Sequence, residues 1–251
     1  MSSSTPTLLL TSSIFISAPF VKLADPEKRV EFTLESIKQW IKIAGDLNIV
    51  ICDGSGYDFT KEVAKSFPQS KIECISFKND AKLVSAYGKG YGEGEIIQHA
   101  LANSEYLNRS DYFVKCTSKI WVKNAPVIFK HWNNIFQCQF GLASPKTFRN
   151  AIPQFLDTRF YIANKSYYMD YFSNAYKNVR DQDGYYLEHC FRDVVLNNKI
   201  QASRILFPTP PLLVGVSGTS GETYRAANPI KARFKNFKTR LKLRVYERFY
   251  K

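Results

Sequence analysis

Two rhythms of hydrophobic and polar positions take turns along the first 77 residues. "TLLLTSSIFIS" (7–17) is an apolar run of strand length and reads as a buried strand. "DPEKRVEFTLESIKQWIKIAG" then switches to helical spacing. Asp25 is its cap, Pro26 takes the first helical position, Val30, Leu34, Ile37 and Ile41 share one face, and Gly45 closes it. "LNIVICDGSG" is a second strand ending in a turn, "FTKEVAKSF" a short helix and "KIECISF" a third strand. Strand, helix, strand, helix, strand predicts an α/β fold with a mostly parallel central sheet flanked by helices. Ligands of such sheets bind beyond the carboxyl ends of the strands. Ser12–Ser13, Asp53–Ser55 and Phe77–Lys78 are therefore expected at or near that rim.

Further along, "EIIQHALANSEYL" is a clear helix, "DYFVKCTSKIWV" a fourth strand and "NAPVIFKHWNNIF" a possible helix. "QCQFGLAS" and "DTRFYIA" read as strands, "NKSYYMDYFSNAYKNV" and "GYYLEHCFRDVVLNN" as helices, and "RILFPTPPLLVGVSGTSG" as extended chain. The unusual stretch is "AYGKGYGEGE" (86–95), with Gly88, Gly90, Gly92 and Gly94 at every second position. It fails the dinucleotide fingerprint, because Glu93 holds the third glycine slot and no apolar strand runs into it. It fails the Walker pattern too, lacking Gly-Lys-Ser/Thr. A flexible turn and a loop that presents its side chains to a ligand remain. Asp181-Gln182-Asp183, the one literal Asp-x-Asp, lies in a turn where acids normally cap.

Composition changes this picture mainly at the end of the chain. Of the net charge of +13, residues 225–251 carry +9, as ten Lys/Arg against one Glu; the preceding 224 residues carry only +4. Within that tail, Phe234, Phe237, Leu241, Val245 and Phe249 are spaced by threes and fours, which predicts a basic amphipathic helix. Such a helix suits an anionic membrane surface, or a helix packed on the body with its cations solvated. Two units follow, a catalytic-size body (1–224) and a basic tail (225–251). A nucleic-acid-binding role finds no matching signature, so no nucleic-acid partner is expected. The five cysteines contain no CxxC pair, which argues against a disulfide framework and a structural zinc site. "MSSSTPTLLLTSSIFISAPF" lacks a basic n-region and reads as a first core strand rather than a leader, and no run of about 20 apolar residues predicts a membrane span.

The order of these pieces resembles the GT-A-type nucleotide-sugar glycosyltransferases, most closely those of bacterial capsule and O-antigen synthesis. "LLLTSSIFI" is similar to that family's first strand, "IVICDGSG" to its second, "GKGYGEGEIIQHALANSEYL" to its loop and helix, and "DYFVKCTSK" to its motif strand. The resemblance covers residues 7–222. It implies donor contacts from Thr11, Ser12 and Ser13, from Asp53, and from Lys89 toward phosphate, while Glu93 or Glu95 would contact sugar hydroxyls or cap the next helix. It also implies a glycan acceptor, lipid-linked, and an enzyme peripheral on the cytoplasmic face of the bacterial inner membrane.

One departure matters. Where the family usually carries Asp-x-Asp, this chain has Lys115-Cys116-Thr117-Ser118-Lys119. A divalent ion needs hard, preferably anionic oxygen ligands. Fixed cations can instead stabilise the departing phosphate directly. No metal cofactor is expected, and Lys115 or Lys119 should face the diphosphate, unless both merely reach solvent from an edge strand. "GVSGTSGETY" offers Ser217 and Ser220 in a phosphate nest, or a linker. For the base, Glu188 stands among Tyr185, Tyr186 and Phe191, where aromatic surroundings raise carboxylate basicity; His189 is the alternative. Asp157, Arg159 and Tyr161 would bind the acceptor, or be strand residues of alternating polarity. A nucleotide-sugar-binding protein without transfer activity is the other reading of the same residues.

Overall fold

The structure, a computed structural model, describes residues 6–19, 21–132, 136–143 and 145–249. Parts of the expected pieces "NAPVIFKHWNNIF", "QCQFGLAS" and the tail fall outside the described residues.

In chain order the elements are β1 (Thr7–Ser12), α1 (Pro26–Ile43), β2 (Ile49–Asp53), α2 (Thr60–Ser66), β3 (Ile72–Ser76), α3 (Ala81–Tyr87), α4 (Lys89–Asn103) and α5 (Glu105–Asn108). Then come β4 (Tyr112–Thr117), β5 (Ile120–Val122), α6 (Ala125–His131), β6 (Cys138–Leu142), β7 (Leu156–Asn164) and α7 (Lys165–Tyr171). The chain ends with α8 (Leu187–Asn197), α9 (Ala202–Ile205), β8 (Leu213–Val216), β9 (Thr223–Tyr224) and α10 (Pro229–Phe249). The central sheet runs β3-β2-β1-β4-β7-β6. Its first four strands are parallel, β7 is antiparallel to them, and β6, antiparallel to β7, runs with the first four again. The expected α/β class and mostly parallel sheet are what the chain forms, with the C-terminal helix present.

Two apolar layers follow from the two-residue period of the strands. Leu8, Leu10, Ile49, Ile51, Phe160 and Ile162 pack against Ile37 and Trp40 of α1. Leu9, Val50, Tyr161 and Ala163 pack on the other face against α4 and α8. Tyr161 is thus on the inward face of β7 and fully buried, so it cannot stack on an acceptor sugar as anticipated. Asp25 caps α1 by accepting from the N–H groups of Glu27 and Lys28, as its position implied.

Elsewhere the chain departs from its sequence-based outline. β1 stops at Ser12, and "DYFVKCTSKIWV" is two strands in two sheets: β5 leaves the main sheet to join β8 and β9. This small sheet is tied to α1 by Ser36 Oγ and Trp40 Nε1, which both donate to the Ile120 carbonyl, at 2.8 and 3.3 Å. The segment 204–221, expected to be wholly extended, begins inside the single turn α9. Helix α7 ends at Tyr171 and a 3-10 turn, Ala175–Asn178, replaces its expected continuation.

The largest departure is the glycine stretch. It is neither a turn nor a loop but the first turns of α4. Each interior glycine costs a helix about 1 kcal/mol relative to alanine, so packing must favour them. Gly88 precedes α4 with φ +105°, a conformation that side chains disfavour, and a Cβ there would overlap Asp181. At Gly94 a Cβ would overlap the Tyr176 ring. Neighbouring elements approach α4 so closely that a bare backbone is required. Gly94→Ala should therefore lower stability by about 1–3 kcal/mol despite alanine's better helix propensity. Chemical denaturation measures it, and an unchanged or raised midpoint would show that the contact gives way without cost.

Candidate functional site

A cavity of about 600 Å³ opens beyond the carboxyl ends of β1 and β4. Its walls come from the starts of α4, α8 and β7 and from the β8–β9 hairpin, because the antiparallel β7 begins where β4 ends. Thr11, Ser12 and Ser13 line it from the end of β1. Asp53 does not. It is fully buried behind that wall and accepts from Ile14 N (3.0 Å), Ser55 N (2.8 Å), Ser55 Oγ (2.6 Å) and Tyr57 N (3.1 Å). Four donors occupy the carboxylate, so it fixes the loops after β1 and β2 instead of meeting a ligand.

The two lysines of β4 and its following turn have different fates. Lys115 is fully buried, and its Nζ donates to Glu93 Oε1, to the Thr158 carbonyl (2.7 Å) and to Thr117 Oγ1 (3.3 Å). All three protons are engaged, and Lys115 does not line the cavity as expected; it holds Glu93, which does. Lys119 is also buried, yet the only hydrogen bond of its Nζ among the described residues is a long one to Ser118 Oγ, 3.4 Å. It faces the cavity. Burial, with repulsion from Arg29, pulls its pKa from the usual 10.5 to about 7, and Asp53 only partly opposes this. Backbone packing fixes this lysine: Val216 N donates to the Lys119 carbonyl at 3.0 Å, and a Cβ on Gly215 (φ +123°) would overlap that oxygen.

Arg29 completes this corner and was not foreseen. From α1 its Nε donates to the Ser13 carbonyl (2.7 Å), and its Nη1 to the carbonyls of Leu23 (2.7 Å) and Gly218 (3.1 Å). Only 5% of its surface is exposed, and burial lowers its pKa to about 10, partly offset by Asp53. Above it, the turn carrying Ser217 and Ser220 folds on itself: Ser220 N donates to Ser217 Oγ, 3.1 Å, and Gly221 N to the Ser217 carbonyl, 2.9 Å. Lys89, the first residue of α4, reaches across and donates to Thr219 Oγ1 at 2.8 Å.

On the opposite wall Glu188, in the first turn of α8, accepts from Thr158 Oγ1 at 2.8 Å. Thr158 thereby links Glu188 to Lys115 and Glu93. His189 turns its Nδ1 back to accept from Tyr186 N (3.0 Å) and stacks between Tyr185 and Tyr186, an orienting role at the helix start. Asp157 and Arg159 line the cavity as a two-point ion pair, Nε–Oδ1 2.8 Å and Nη2–Oδ2 2.5 Å, with Arg159 over the Tyr224 ring. Asp181 lies against the start of α4, where a Cβ on Gly88 would overlap it, and burial raises its pKa, opposed by Lys89 and the nearby backbone N–H groups of Gly90 and Lys89. Glu95 lies away from the cavity, half-buried, its pKa raised by desolvation and Asp80. Among the described residues, no three His, Cys, Asp or Glu side chains gather closely enough to hold a metal ion.

The cavity therefore sets two buried cations, which no carboxylate among the described residues hydrogen-bonds, against an open carboxylate. Burying such cations destabilises the empty protein. Because the pKa of Lys119 is lowered on folding, its penalty is full below about pH 7 and fades as pH rises toward 10.5. Lys119→Met should raise the melting temperature at pH 6, with a smaller gain at pH 9. A gain independent of pH would mean that folding leaves the Lys119 pKa unshifted.

No family profile matches the chain, and no curated protein does. Among solved structures, it is similar to HddC from Yersinia pseudotuberculosis (13% identity, 64% of this chain and 77% of that one, TM-score 0.38). It is also similar to the inositol-1-phosphate CTP transferase from T. maritima (10% identity, 94% and 96%, TM-score 0.48). A third likeness is to mouse xyloside xylosyltransferase 1 (11% identity, 80% and 83%, TM-score 0.42). At such identities and scores the site must be read from its own residues.

Proposed function

We propose that the chain is a nucleotide-sugar glycosyltransferase that needs no divalent metal. The observation that carries this reading is the pair Lys119 and Arg29, buried at the cavity floor without a bonded carboxylate, facing Glu188 across the cavity. The donor's diphosphate would lie over Lys119 and under the Ser217–Gly221 turn, where Lys89 can swing from Thr219 onto phosphate. An acceptor hydroxyl then attacks the anomeric carbon while Glu188 takes its proton. The carbon–oxygen bond to the diphosphate breaks, and the charge left on that oxygen is met by the ammonium and guanidinium groups already in place. Preorganised cations fill the role that a metal would otherwise have, since their burial fixes them in place before the charge develops. Glu93, held by Lys115, and the Asp157–Arg159 pair offer hydrogen bonds to sugar hydroxyls. The resemblance to capsule and O-antigen enzymes further suggests a lipid-linked glycan acceptor in bacterial surface polysaccharide synthesis, at the cytoplasmic face of the inner membrane.

Transfer and donor hydrolysis should persist in EDTA and gain nothing from manganese. Glu188→Gln should lower turnover by about 10²–10⁴-fold, the usual range for a general base, with donor affinity nearly unchanged. Turnover that EDTA abolishes and manganese restores would overturn the metal-free mechanism. Full activity in Glu188→Gln would remove the assigned base.

A further inference from the structure

Helix α10 is fastened to the body chiefly along one side. Asn236 Nδ2 donates to the Phe207 carbonyl (2.8 Å), Arg240 Nη2 to the Leu206 carbonyl (2.7 Å), and Ser203 Oγ to Glu247 (2.6 Å), while Thr239 and Leu243 are buried. At about 100° per residue, the residues anticipated as its apolar stripe lie opposite that side. All of them except the half-buried Val245 stand largely in solvent. Phe234 is 59% exposed, Phe237 63%, Leu241 44% and Phe249 66%. Exposed Arg233 and Arg244 flank them, and exposed Lys231, Lys238 and Arg248 stand among them, Lys238 over the Phe234 ring and Arg248 over Phe249.

This face does not end with the helix. Lys242 Nζ donates to the carbonyls of Pro145 (2.7 Å) and Lys146 (3.0 Å) and stands over the Phe148 ring. From there Phe148, Ile152 and Phe155 are each substantially exposed, and Phe155 lines the cavity. An apolar track flanked by cations thus runs from α10 to the mouth of the site.

We infer that α10 and the 145–155 segment form one docking face for an anionic lipid bilayer, with the cavity mouth at Phe155 opening toward it. Charge and shape select this occupant. The +9 tail is drawn to anionic headgroups, at about 1 kcal/mol per cation near the surface, and the stripe between the cations can enter the acyl boundary. A nucleic acid would neutralise the cations but leave the large aromatic stripe in water. A second copy would bring together two tails of the same charge. The inference rests on the reading of the cavity as an acceptor site only in its orientation: the polar end of an amphiphilic acceptor would reach Glu188 while its chain stays in lipid.

The full chain should float with phosphatidylcholine vesicles that contain phosphatidylglycerol and not with phosphatidylcholine alone. Phe237→Glu with Leu241→Glu should weaken this at least about tenfold without altering the circular dichroism. An environment-sensitive fluorophore on Ile152→Cys should shift to the blue on anionic vesicles, whereas one on Asp46→Cys, at the opposite end of the sheet, should not. No flotation, or flotation untouched by the double variant, would overturn the docking face. So would RNA binding, or a dimer, that the double variant abolishes while vesicles remain unbound. A silent label at 152 would overturn the orientation. Glycosyl transfer to a soluble acceptor, and its dependence on Glu188, can be measured on the same samples without vesicles, which separates failure of docking from failure of the transferase reading.

Discussion

A lysine buried beside an arginine, with no carboxylate among the described residues bonded to either, is the constraint around which this molecule is arranged. Two like charges out of water repel and lose hydration, and the chain answers with carbonyls and distance. Arg29 is spread over three backbone oxygens, from Ser13, Leu23 and Gly218. Asp53 is near enough to act through space on both, yet its oxygens are taken by four donors. What remains is an unfulfilled demand for negative charge at the floor of an open cavity. Lys115 shows the contrast. Four residues earlier it has its own carboxylate, Glu93, and so becomes part of the scaffold.

The glycine-rich start of α4 serves the same arrangement from the other side. By allowing Asp181, Leu187 and Tyr176 to close in on the helix, it brings Lys89 and Glu93 to the cavity and sets α8, with Glu188, against α4. Thr158 ties the two carboxylate-bearing helices to β7 through its hydroxyl and its carbonyl. The geometry of this cavity depends on backbone approach more than on side-chain reach.

Much of the fold was legible in the sequence because its signals are local. The Asp25 cap, Pro26, the apolar runs of β1 and β2 and the basic stripe of the tail each specify themselves. What failed was decided by contacts distant in sequence. Three interior glycines argue against a helix until Tyr176 and Leu187 are seen against them. Tyr161 looked available for a ligand because nothing local says which face of β7 is inward. Lys115 and Lys119 are equivalent on paper, and only the partner, Glu93 from α4, separates them. Arg29 left a faint trace: it lies in line with Thr33, Ser36 and Trp40, and these, more than Val30, Leu34 and Ile41, form the buried side of α1. A cation heading a row of small polar residues was the signal for a guanidinium turned inward.

The central claim is that a phosphate completes this corner. Because Lys119 titrates near pH 7 in the empty site, an anion settling on it should draw a proton from solution above that pH. Calorimetric titration of UDP, GDP and dTDP at pH 8, in two buffers of different ionisation enthalpy, counts the protons taken up. The account predicts uptake approaching one proton for the nucleotide that binds, abolished in Lys119→Met. Binding with no proton uptake, undiminished in that variant, would contradict it.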